Sequence, residues 1–428
     1  MFAVRERGSS VRTEVIGGVT TFVAMAYIIV VNPAILAHAG LPPGPSTVAT
    51  ILTAAFGTLL MGLLANRPIA VAPYMGENAF IAFGLAAYGI TWQQRLGAVF
   101  VSGVIFLIIT LIGVRTWLAD AVSKSMKHSF AAGIGLFLTF IGLYEAGIVQ
   151  GSQAVPVQLG DIRSTTVLLA ILGFLIIAAL LQRRVPGAIL IGIAVTAIIG
   201  ALVGEGKAPE RIAAMPFIGA YDLGPIAFQL DVVSILRLSF LPILLTLFLM
   251  SLFDTLGTLV ALDTATGERG DLKKPMLVDA LSCVFSGVVG TSTSGAYIES
   301  STGIREGART GLASVVTATL FAVSLFFIPL FEPMQSLQYA YAPALLIVGM
   351  LMLSAVTHID FDDLTELVPA FTTVVVMVFT FNIANGLTAG LVLYPLMKLL
   401  AGRARELRAG TIVLAALCAV YYVFGLPH

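Results

Sequence analysis

Apolar residues along the chain gather into long runs separated by short polar breaks. A helix that crosses a bilayer needs about 20 mostly apolar residues. Runs of that length, or somewhat shorter, lie at roughly 15–31, 47–65, 96–113, 129–147, 166–181, 187–203, 238–262, 275–289, 311–330, 342–356, 366–382, 384–401 and 410–425. Two further stretches are apolar but interrupted: 68–87, PIAVAPYMGENAFIAFGLAA, and 287–303, GVVGTSTSGAYIESSTG. Gly, Pro, Ser and Thr fill the interruptions, and carboxylates or amides stand where a simple span would carry leucine. The pattern predicts an all-α membrane protein with many spans, two of them broken.

Basic residues set the sidedness, because cytoplasmic loops are enriched in Lys and Arg. With a cytoplasmic N-terminus and both broken stretches counted as crossings, the outer side receives only Arg95, Arg163, Lys207, Arg211 and Arg237 of the 23 basic residues. Omitting one broken stretch spoils this bias. The charges therefore favour both as full crossings, which gives fourteen spans up to about residue 401. The tail, 410–425, is marginal in length and is left open as a spanning or an interfacial helix.

A repeat is visible in the same pattern. The first run and the run near 238 are offset by about 223 residues, and the two broken stretches by about 221. Two copies of an odd number of spans, seven, must have opposite orientations in the membrane. Inverted repeats with paired, interrupted helices mark secondary transporters, and the interruptions point to the binding site.

Composition narrows the function classes. The 428 residues are 58% hydrophobic and 11% charged, against about 25% charged in a typical soluble domain. A soluble enzyme, a disordered protein and a nucleic-acid binder are excluded. The net charge is zero, and two Cys with four His give no disulfide framework or metal spacing. Cys283 and Cys418 read as small buried hydrophobes. No catalytic His or Cys cluster or nucleotide-binding loop supports a membrane-embedded enzyme. The N-terminal MFAVRERGSSVRTE carries no cleavage pattern, so the first run reads as the first span.

A charge at membrane depth is expensive and demands a reason. Three acids do not fit a loop: Glu77, Asp254 and Glu299. Asp254 sits inside LTLFLMSLFDTLGTLVAL. Glu299 follows small residues in the second broken span, where irregular backbone is tolerated only beside protein or a cavity. A short helix is expected to start there, its positive end toward mid-membrane. Glu77 and Asn78 occupy the equivalent place in the first broken span, after Pro73, Tyr74 and Gly76. Glu77 either faces a ligand or caps the half-helix, and a capping role competes for Glu299 too. Phe253, Thr258 and Tyr297 flank the acids, suited to stack on or hydrogen-bond a base, or simply to fill the core. Pro33 reads as the stop of the first helix, next to Tyr27 and Asn32. Asp360, Asp362, Asp363 and Glu366 read as a solvated loop cluster; His128 and His358 read as structural. Two half-helices meeting beside acids suit a planar heterocycle with alternating donors and acceptors. Burial favours the neutral form of a carboxyl group, which makes Asp254 and Glu299 candidate proton carriers.

The stretches TEVIGGVTTFVAMAYIIVVNPAIL, LMGLLANRPIAVAPYMGENAF, SLFDTLGTLVAL, GTSTSGAYIESSTGI and DDLTELVPAF resemble the AzgA-like branch of the nucleobase–cation symporter-2 (nucleobase/ascorbate transporter) family. That branch comprises adenine, guanine and hypoxanthine permeases. The resemblance runs from about residue 12 to the C-terminus. It implies fourteen segments in a 7+7 inverted repeat, with short strands before half-helices in segments 3 and 10. A core domain would comprise 13–113 and 232–330, a gate domain 114–203 and 340–401, with 408–428 an extra helix. By the same resemblance Asp254 and Glu299 match acids that contact the base, Tyr297 a residue lining the site, and Asn78 the third-segment amide. A homodimer in the inner or plasma membrane, H+ coupling without a cofactor, and elevator-type import of a purine are implied. The chain departs from the branch at three positions. Tyr74 stands for a usual glycine, Glu77 for an apolar residue and Ser251 for a common aspartate. A transporter of the same fold for a non-purine heterocycle or an organic anion is the alternative.

Overall fold

The fold is described from a computed structural model over residues 2–206, 208–267 and 272–424. Among these residues nine helices are long and apolar enough to cross a membrane: Val11–Ala37, Pro43–Ala65, Trp92–Leu111, Lys124–Glu145, Thr165–Gln182, Leu241–Thr266, Gly311–Gln335, Gln338–His358 and Ile383–Leu400. Shorter helices span Ala188–Leu202, Lys273–Val289, Leu364–Phe379 and Ala409–Phe424. The helices follow the apolar runs because lipid leaves every backbone N–H and C=O to be satisfied within the segment. The chain is a multi-pass membrane protein. The tail packs along Ile383–Leu400, and Thr388 and Tyr422 hydrogen-bond at 3.2 Å. Residues 425–428 of the expected extra helix, and 268–271 of the expected core, lie outside the described residues.

Among the described residues four short strands interrupt the helices: β1 (Val71–Pro73), β2 (Val149–Gly151), β3 (Val157–Leu159) and β4 (Ser294–Ala296). β1 and β4 come from the two broken stretches and pair antiparallel, Val71 opposite Ala296 and Pro73 opposite Ser294. Each is followed by a short helix, Met75–Ala79 after β1 and Ser300–Arg305 after β4. Two isolated strands at membrane depth would leave backbone groups unpaired; pairing them across the molecule satisfies both. The β2–β3 hairpin, in the loop after Lys124–Glu145, has no counterpart among the expected elements.

The first span runs on past Pro33 to Ala37, so Pro33 does not stop it. A proline lacks the N–H that would bond the carbonyl four residues back. That carbonyl, of Ile29, accepts instead from the Gln335 side chain at 3.0 Å. Near its start the same span lies backbone to backbone on the second broken stretch. A Cβ on Gly17 would stand 2.9 Å from the Gly303 carbonyl and 2.6 Å from Ala308. Small residues permit such close helix approach in membranes.

The acids are not all where the sequence pattern places them. Glu14, Glu145, Asp263 and Asp279 are buried in helices as well. Glu14 accepts the Arg309 and Thr310 N–H groups at 2.9 and 3.2 Å, at the start of the Gly311–Gln335 span. Glu145 meets His38, Gln338 and Tyr341 at 3.2, 3.0 and 2.8 Å. Asp263 pairs with Arg67 at 3.2 Å. Asp363 and Glu366 are not a solvated loop cluster. Both engage Lys398, only 2% exposed, at 3.6 and 3.0 Å, and Arg403 reaches Asp363 at 2.6 Å. His128 and His358 stack with centroids 4.8 Å apart.

Candidate functional site

The β1–β4 ribbon sits between the first span, the Leu241–Thr266 helix and the Lys273–Val289 helix, and the sequence-predicted residues gather around it. Gly76, just after β1, lets this helix approach. A Cβ there would meet Ile134 at 2.9 Å and stand 3.8 Å from Asp254 Oδ2. Glu77, one residue on, turns its carboxyl toward that of Asp254. Glu77 is fully buried, and its carboxyl lies against that of Asp254 and near its own backbone N–H in the first turn of the short helix. Two facing carboxyl groups can hydrogen-bond only when one holds a proton, since both otherwise accept.

Asp279 anchors the other side of the ribbon. It accepts the Ala296 N–H at 2.9 Å and the Thr255 hydroxyl. Thr255 has then spent its hydrogen, so it accepts from the Tyr74 hydroxyl at 3.1 Å. Tyr297 donates to the Pro73 carbonyl. The rings of Tyr74 and Tyr297 are nearly parallel, 9° apart in plane with centroids at 6.3 Å. Asp279 and Thr255 are the residues that sequence reasoning missed. The signal was present: a carboxylate inside an apolar run, the criterion that singles out Asp254.

Glu299 is half-buried and accepts from Tyr27 at 2.8 Å. Its side chain makes no cap bond to the Ser300–Arg305 helix. Asn78 is fully buried and tied to the first span, donating to Asn32 at 2.8 Å. The structure thus brings Tyr74, Glu77, Asn78, Asp254 and Tyr297 together around one ribbon, with Glu299 joined through Tyr27. It turns Phe253 onto Phe130, with centroids 4.8 Å apart, as core packing. Thr258 is half-buried one turn beyond Asp254. A cavity of about 1550 Å³ lies elsewhere, lined by Glu205, Arg211, Tyr221, Glu332 and Gln335, in the connection before the Leu241–Thr266 helix.

Similarity to known proteins agrees with this architecture. The transmembrane domain of a cyanobacterial bicarbonate transporter, BicA, superposes with a TM-score of 0.66 at 18% identity, covering 89% of this chain and 97% of that one. The neighbour shares the fold. Adenine permease AdeP of Escherichia coli (strain K12) is 39% identical over 435 residues, 100% of this chain and 96% of the relative. Guanine/hypoxanthine permease PbuO of Bacillus subtilis (strain 168) is 37% identical over 427 residues, 97% of this chain and 98% of the relative. Relatives of this kind are transporters and not enzymes. Residues 12–388 match the Permease family, Xan_ur_permease, and the chain belongs to that family.

Proposed function

We propose that the protein is a secondary active transporter that imports a nucleobase, a purine such as adenine, guanine or hypoxanthine, by proton symport with elevator-type alternating access. One observation carries the reading. Glu77 and Asp254 face one another beside two half-helices, deep among buried residues. Intramembrane acids of this kind mark substrate or proton pathways. The names of the full-length relatives AdeP and PbuO, adenine and guanine/hypoxanthine permease, support the substrate class. Buried acids disfavour an organic anion.

The nine long helices, the helices Ala188–Leu202, Lys273–Val289 and Leu364–Phe379, and the two broken stretches make fourteen crossings in this reading. Their order fits a 7+7 repeat with a cytoplasmic N-terminus in the inner or plasma membrane. The core comprises 13–113 and 232–330, and the gate 114–203 and 340–401, in a homodimer. In the outward-open state Asp254 or Glu299 takes a proton. The base then seats between the half-helices, and its N–H groups donate to the acids. Movement of the core against the gate carries base and proton inward, where the near-neutral cytoplasm favours proton release.

The test is uptake by Asp254→Asn and Glu299→Gln. Each is expected to abolish uptake of every purine while the purified protein keeps its unfolding temperature. Near wild-type uptake by both variants removes these residues from the coupling step.

A further inference from the structure

We infer that the outer end of the seam between core and gate is held shut by a two-part latch, an aromatic wedge on Phe381 and an ion pair of His38 with Glu145, and that acid on the outer side tightens it. The inference rests on the core and gate reading above and adds how that movement is regulated.

The gate helix Leu364–Phe379 ends in a turn. The Phe381 N–H bonds the Val378 carbonyl at 3.2 Å and the Asn382 N–H bonds the Met377 carbonyl at 3.1 Å. Phe381 stands there at φ 51°, a left-handed conformation that helix ends usually give to glycine. A bulky residue keeps it only where the surroundings over-determine it. What the strain places is the ring. Its centroid lies 5.3 and 5.6 Å from those of Phe137 and Phe140, on the gate helix Lys124–Glu145, and 6.2 Å from that of Phe83, edge to face. Phe83 belongs to the core, at the outer end of the first broken stretch. Beside it the Asn382 amide donates to the Gly84 carbonyl at 3.4 Å. A strained gate residue thus spends its ring on the end of the core segment that carries Glu77.

The ion pair closes the same end. His38, just past the first span, lies over Phe83 with ring centroids 5.0 Å apart. Its Nε2 reaches Glu145 Oε2 at 3.2 Å, an oxygen on which Gln338 and Tyr341 also converge. Glu145 and Tyr341 are gate residues, so the carboxylate is fixed on one side and His38 supplies the bond across. The His38 side chain is 33% exposed, against 5% for Glu145, so a proton reaches it from solvent. Of the other elements packed on Ile28–Ala37, Pro43–Leu60 carries no titratable residue. Glu332, on Ile328–Gln335, accepts from Tyr221 at 2.6 Å, and Glu77 faces Asp254. Tyr339, beside Tyr341, donates to the Glu205 carbonyl at 3.2 Å. Histidine changes charge between about pH 5 and 8, and a charged donor bonds a carboxylate about twice as strongly as a neutral one. The bond across exists only with the seam shut. Protonation therefore favours the shut state, and the ratio of shut to open rises as pH falls.

The test is the width of the outer seam in the purified full-length protein, read by double electron–electron resonance between spin labels on Ala86→Cys and Thr380→Cys. Both positions are exposed, one on each side of the seam, and the native Cys283 and Cys418 are buried. The shut-to-open ratio is expected to rise about fivefold from about pH 8 to about pH 5. His38→Gln keeps a donor without a titratable charge and should flatten that rise, as should Glu145→Gln. The acids of the broken stretches titrate alike in wild type and variants, so the difference between slopes belongs to the pair. Phe381→Ala should widen the seam at both pH values and leave the rise in place. Equal slopes in wild type and His38→Gln overturn the ion pair's role, and an unchanged seam in Phe381→Ala overturns the wedge; in both cases movement of core against gate still stands. A seam of one width under every condition, with purine or without, overturns that movement as well.

Discussion

Asp279 accepts a backbone N–H of β4 and a hydroxyl of the Leu241–Thr266 helix, and that hydroxyl accepts from Tyr74. One carboxylate thus sets the ribbon against the helix that carries Asp254. Removing it strands a buried N–H, and such a group costs about 1–3 kcal/mol. Asp279→Ala should therefore lower the unfolding temperature in detergent clearly more than Asp279→Asn, which keeps an acceptor for Ala296. Equal melting of the two variants would remove this role. Asp254 was legible in the sequence because a charge among leucines stands out, and Glu77 because it sits in an interrupted apolar stretch. Asp279 was legible by the same rule and was hidden among the polar residues Ser282 and Ser286 of its own helix. What no rule of spacing reveals is its partner, because the Ala296 N–H becomes a neighbour only through the fold. The setting of the Asn78 amide is less legible still, since it depends on Asn32 and Thr50 in other spans.

At the scale of elements, lipid makes helices easy to read and their irregularities hard. The broken stretches announce themselves by Gly, Pro and Ser, but the pairing of β1 with β4 joins positions far apart in the chain. Pro33 shows how a local rule is overridden. It forfeits one backbone bond, and Gln335 supplies the replacement donor to Ile29. In a double-mutant cycle Gln335→Leu should destabilise the protein by about 1 kcal/mol. In the Pro33→Ala background, where a backbone N–H is restored to Ile29, it should cost less. Identical costs in both backgrounds would show that Gln335 does not serve that carbonyl. The polar connection ahead of Leu364–Phe379 shows the opposite case, residues that look solvated and are not. The Thr365 hydroxyl, then the Arg403 guanidinium and the Lys398 ammonium, hold the Asp363 carboxyl well below the usual carboxylate range. A lowered value means stability present above the unfolded-state value of about 3.9 and lost as pH falls below it. Wild-type protein should lose unfolding temperature more steeply below about pH 4 than Asp363→Asn. Parallel acid limbs would show that the cluster adds nothing.

At the scale of the whole molecule, the fold shared with the BicA transmembrane domain at 18% identity shows how little of the chain the scaffold dictates. The acids and aromatics singled out in the sequence gather where the ribbon, the two short helices and Asp254 meet. The two broken stretches were legible as a recurring offset in hydropathy, and their strands pair. The β2–β3 hairpin was not, because its exposed strands lie in a polar loop between helices, with no apolar run to announce them. The central claim is that proton flow drives a nucleobase across this scaffold. The most direct test is uptake of labelled guanine and adenine by the purified protein in liposomes, with and without an imposed gradient, acid outside. The account predicts accumulation above the outside concentration with the gradient, collapse of that accumulation when a protonophore is added, and none for Asp254→Asn. Uptake that only equilibrates, and does so equally with or without the gradient, would contradict it.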